Sequence, residues 1–149
     1  MRQTAMITLS LVLLAGACGS DDKKSTETRE QFGARIGKEC PGADPGFDAF
    51  MTAHATPTAD DYVKFLPNPI AMMTGVIDCI GKSNPPVVLK DPVDKVVAAL
   101  KVVKADLESA LKSAKSGDLD ATNTKIGEMQ AHVGKVDEAE QAVVGPPGS

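Results

Sequence analysis

The strongest constraint on the fold is a pair of apolar seams in the C-terminal half, separated by only four residues. Val96, Leu100, Val103, Leu107, Ala110 and Ala114 recur at steps of four and three. Leu119, Thr122, Ile126, Met129, Val133, Val136, Glu140 and Val143 continue the same alternation. This spacing puts each set on one stripe of an α-helix, whereas a strand, with its period of two, would divide it between both faces. Asp91 and Pro92 supply a cap and a first-turn proline for the first of these helices. Glu108 and Lys112 are spaced for an i,i+4 ion pair, Lys112 and Lys115 suit the negative end of the helix dipole, and Gly117 supplies a C-terminal stop. Asp118 caps the next helix at once. The spacing therefore predicts helices over 92–116 and 119–143, each about 36 Å long, folded into an antiparallel hairpin. Gly127, Ala131 and Gly134 form a small-residue stripe beside the second seam, able to admit a close neighbour.

The N-terminal half carries shorter helical signals. Thr28 with Gln31 fits a capping box, and Phe32, Ile36 and Cys40 follow at i, i+4 and i+8. A helix over 28–40 results, ended by Pro41-Gly42. Asp44-Pro45 opens a short helix with Phe47, Phe50 and Met51 on one side. Thr58 with Asp61 caps another, with Tyr62, Phe65 and Leu66 inward. Asn68-Pro69 opens a helix over 69–82 that is apolar on two stripes, Ile70/Met73/Ile77/Ile80 and Met72/Val76/Cys79, which suits a central place in the packing. Asn84-Pro85-Pro86 and Val87-Val88-Leu89 read as an extended connection whose apolar half lies against the domain. The fold expected is all-α: an up-and-down bundle of about four helices with a C-terminal αα-hairpin.

The first eighteen residues set the address. Arg2 precedes an apolar run from Ala5 to Leu14, too short and too poorly flanked to span a bilayer, and small residues lead to Cys18. Leu14-Ala15-Gly16-Ala17-Cys18 resembles the lipobox of bacterial lipoproteins, a resemblance confined to the signal and its cleavage site. It implies removal of residues 1–17, acyl chains such as palmitate on Cys18, and Cys18 as the mature N-terminus. With Gly19 next, it implies the outer membrane in a two-membrane cell, and otherwise the outer face of the plasma membrane. Residues 18–27 would be the lipidated cysteine and a flexible polar tether, 28–144 the helical domain, and 145–149 a disordered tail.

An exported chain meets oxidising conditions, and with Cys18 lipidated the remaining cysteines, Cys40 and Cys79, are the only pair that could form a disulfide. They lack the close spacing of a redox-active pair, so a structural bond is expected. The mature chain has fifteen basic and twenty acidic residues, a net charge of −5, with lysines interleaved among the acids. No footprint for nucleic acid is visible. Aromatic residues are few, four Phe and one Tyr with no Trp, so the core must come from Val, Leu, Ile, Met and Ala.

Chemistry-bearing motifs are sparse. His54 and His132 lack zinc-ligand spacing with each other or with the cysteines, and no metal is expected. The adjacent carboxylates Asp60/Asp61 and Asp137/Glu138 do not face each other on a helix, so they read as solvated surface. No phosphate-binding loop, nucleophile elbow or metalloprotease helix is present. A haem of the b type could use His132 with Met72 or Met73, but packed methionines are more often core filler. The sequence thus points to a lipid-anchored, non-catalytic cell-envelope protein with no cofactor beyond its lipid, an interaction or scaffold module acting through contacts with another envelope protein or a cell-wall component. The alternative is a small-ligand or haem carrier, or an enzyme, with a pocket between the helices.

Overall fold

The computed structural model describes residues 27–40 and 46–144. Cys18, the signal and most of the tether lie outside the described residues, as do Pro41-Gly42, Asp44-Pro45 and the tail. The described chain is all-α. Its helices are α1 (Arg29–Glu39), α2 (Phe47–Ala53), α3 (Ala59–Phe65), α4 (Pro67–Gly81), α5 (Lys90–Lys115) and α6 (Leu119–Val144), with a 3-10 turn at Val87–Leu89 before α5. Among the described residues none of these helices is long and apolar enough to cross a membrane.

The caps at the starts of α1, α3 and α6 form as their residue types require. Thr28 and Gln31 make a reciprocal capping box, and Thr58 and Asp61 make another. The Asp118 carboxylate accepts from the Ala121 N–H at 2.9 Å, and Gly117 takes φ +78°, the left-handed conformation that ends α5. The start of α5 differs from the expectation. The 3-10 turn runs directly into the helix, Leu89 stands at the cap position, and no side chain caps it. Asp91 instead lies inside the first turn, where its charge suits the dipole, and Pro92 falls where a missing N–H costs nothing. Similarly α4 begins at Pro67, because Leu66, fully buried, is at once the end of α3 and the start of α4.

α5 is the hub. α6 runs along it, α4 and α3 pack on it, and α1 packs against α6. All six residues of its expected seam are buried, joined by Val93. From α6, Thr122, Ile126, Met129, Val136 and Val143 are buried against them. Thr122 is accommodated because its hydroxyl donates to the Asp118 carbonyl at 2.7 Å. Under the hairpin, Phe50 stacks on Phe65 with ring centroids 4.2 Å apart, and the Tyr62 hydroxyl donates to Asn123 Oδ1 at 3.0 Å, tying α3 to α6. Cys40 and Cys79 are disulfide-bonded with Cα atoms 5.7 Å apart, fixing the end of α1 to α4.

Four packing expectations are corrected. Val87 and Val88 are 78% and 81% exposed rather than laid against the domain. In a 3-10 turn residues three apart share a side, so burying Pro86 and Leu89 turns the two valines outward. Met51 is exposed, since Phe47 and Phe50 alone supply the buried side of α2. Glu108 pairs with Lys104 at 3.3 Å, one turn before it. The glycine stripe of α6 meets no neighbour, since a Cβ built at Gly127 or Gly134 has nothing within 4 Å.

Candidate functional site

Helices α1, α4, α5 and α6 do not close completely on one another. Between them lies a cavity of about 540 Å³, within the range typical of small-molecule sites. α5 forms its back wall with Val93, Val96, Leu100, Val103 and Leu107, α4 contributes Met73, Val76 and Ile80, and α6 contributes Met129, Val133, Val136 and Val143. α1 supplies Phe32 and Ile36, and between them Gly33 and Gly37. These glycines are one helical turn apart and carry no side chain into the space. A Cβ at Gly33 would meet Val144 Cγ1 at 3.2 Å, whereas one at Gly37 would meet nothing within 4 Å. α1 therefore approaches α6 closely at Gly33, while Gly37 is exposed.

The polar side chains among the described lining residues are those of Asp137 and Glu140. They sit three apart on α6, neighbours on one face of the helix. Both residues are exposed to solvent, and partial desolvation, with the Asp137 charge as the lesser cause, pushes the Glu140 carboxyl above the ordinary glutamate range. Among the described residues no ion-pair partner reaches either carboxylate, and no Lys, Arg or His lines the cavity.

The remaining titratable pairs lie elsewhere. His132, proposed above as a haem ligand, places Nδ1 2.6 Å from Asp106 Oδ2, which ties α6 to α5. It does not line the cavity, whereas Met73 does, so the structure does not bring that ligand pair to one pocket. His54 stacks on Phe50 and has Nε2 3.8 Å from Asp61 Oδ1. Arg35 is held on three sides: both Glu27 oxygens at 2.9 and 3.0 Å, Glu39 at 3.1 Å and the Ser83 carbonyl at 3.0 Å. These bonds depress the Glu27 carboxyl and raise the guanidinium further. Glu27, read above as the end of the tether, is thereby fixed to α1. Among the described residues no three His, Cys, Asp or Glu side chains are grouped to hold a metal.

Cys40 lines the cavity through its disulfide, so one sequence-derived site residue borders the space. Cys18 lies outside the described residues. Sequence reasoning gave Gly33, Gly37 and Glu140 no place at a site, and read Asp137 as solvated surface, which its exposure bears out. Their signal was present: Glu140 is the one charged member of an apolar seam, and two glycines in eleven residues of α1 weaken a helix that gains nothing local from them. Comparison with protein-family models, with curated proteins and with solved structures gave no match.

Proposed function

We propose that this chain is a lipid-anchored, non-catalytic envelope protein that carries a small apolar molecule between its helices. The sequence allowed an interaction module or, alternatively, a ligand carrier or enzyme with a pocket between the helices, and the cavity of about 540 Å³ between α1, α4, α5 and α6 favours the carrier. Protein interiors are close-packed, and this apolar space reaches in from the surface to the buried seam of α5. The His132–Asp106 and His54–Asp61 pairs stand apart from the cavity, which fits binding better than turnover. The anchor rests on the Leu14–Cys18 motif. Lipid on Cys18, with a short tether, would hold the carrier at a membrane surface outside the cytoplasm.

Native mass spectrometry of full-length protein recovered from its own membranes tests both parts. The expected result is acylated mature protein beginning at Cys18, together with a non-covalent small-molecule adduct, and a Cys18→Ala variant that is neither acylated nor held by membranes. An unmodified N-terminus refutes the anchor. Adduct-free protein that also fails to take up neutral N-phenyl-1-naphthylamine refutes the carrier.

A further inference from the structure

We propose that the turn carrying Val87 and Val88 is a second membrane contact, entering the interface of the bilayer to which the Cys18 lipid would hold the chain. The proposal rests on the anchor reading and is independent of the cavity.

Single apolar side chains on a surface need no explanation, but these two are adjacent and unusually bare. They are 78% and 81% exposed, whereas the other exposed large apolar side chains among the described residues reach at most 53%. The turn itself does not require valine at either place. It is closed by the Leu89 N–H, which donates to the Pro86 carbonyl at 2.8 Å, and its buried side is taken by Pro86 and Leu89. Pro85 and Pro86 fix the backbone ahead of it, so the pair is presented on a stiff turn that loses little freedom on entering an apolar phase. Removing two bare valines from water is favourable wherever such a phase is within reach.

The route of the chain says what that phase is. Arg35 binds both carboxylate oxygens of Glu27, the first described residue after the tether. Its Nη2 donates to Glu27 Oε2 and to the Ser83 carbonyl, each at 3.0 Å. The entry of the tether and the segment leading to the valines are thus joined at one guanidinium. From Ser83 to Val87 the chain spans at most about 14 Å. From Glu27 back to Cys18 it spans at most about 32 Å, with a root-mean-square reach of about 17 Å. An acylated Cys18 therefore brings this corner of the domain to the bilayer. The other end of α5, at Lys115, stands about 38 Å from Lys90 along the helix axis. A protein partner could also cover two valines, but the membrane is the phase that the anchor itself delivers to them.

The chain contains no Trp, so an introduced one reports only its own surroundings. Lys90→Trp places the probe beside the turn with both valines intact, and Lys115→Trp places it at the far end of α5. Each is recovered as acylated mature protein and reconstituted in vesicles of phosphatidylcholine and phosphatidylglycerol in equal parts, with or without bromine on the acyl chains. Both should float with the vesicles. Lys90→Trp should emit at shorter wavelength and be strongly quenched by brominated lipid, while Lys115→Trp emits as in water and is not quenched. Adding Val87→Ser and Val88→Ser to Lys90→Trp should abolish the quenching and leave the melting temperature unchanged. Absent quenching, or quenching that the serines do not alter, refutes the contact while the anchor stands. A blue shift without quenching puts the turn against protein and also refutes it. Protein that does not float overturns anchor and contact together.

Discussion

Glu140 is an acid in an apolar seam, and its effect on stability has a definite sign. Because its carboxyl is pushed up in the folded chain, chiefly by partial desolvation and then by Asp137, the folded state holds that proton more tightly than the unfolded one. Its stabilising contribution is therefore fully present below the ordinary glutamate range and lost as pH rises through the elevated folded value. Glu140→Gln should raise the melting temperature of the ligand-free protein at pH 7, with the gain disappearing near pH 4. Melting curves followed by circular dichroism check this, and a variant less stable at pH 7 would contradict it. Glu27 and Asp61 act in the opposite sense. Arg35 depresses the first, and the Thr58 backbone N–H and hydroxyl depress the second, so their contributions fade as pH falls through the lowered values. At this level the sequence was legible for pairings set by local spacing, such as Thr28 with Gln31. The Arg35 clamp on Ser83 joins residues 48 apart, and no local pattern encodes it.

The elements with long periodic seams were legible almost residue by residue, because burial of a stripe on a 3.6-residue period leaves no other solution. The α5–α6 hairpin shows this, down to Gly117 and Asp118. Short connections were less legible, since their side chains are placed by what the flanking elements bury. Val87 and Val88 face outward because Pro86 and Leu89 take the inward side of the same turn. The Cys40–Cys79 bond was legible from the apolar stripes of α1 and α4, and its consequence is an element-level prediction. It closes a loop with a sequence separation of 39, worth about 4 kcal/mol in the chain-entropy account. Reduction should lower stability by up to that amount. Amide hydrogen exchange should then accelerate in α1 well before α5 and α6, which keep their mutual seam. Uniform acceleration over all helices would contradict the separation.

Across the whole molecule, a helical class was dictated by the sequence, but a cavity was not. Its existence depends on how four helices diverge, and so on residues that withhold side chains as much as on those that supply them. Gly33 lets α1 touch Val144, and Gly37, one turn on, borders the space without a side chain. The carrier reading stands on that space, and the membrane address on the lipobox-like motif at Cys18. Binding of neutral N-phenyl-1-naphthylamine, followed by fluorescence in the full chain and in Gly37→Leu, is the most direct test of the central claim. Saturable one-to-one binding that is lost in the variant, with its melting temperature unchanged or raised, is the predicted result. Absent binding in the parent chain, or equal binding in both, would contradict it.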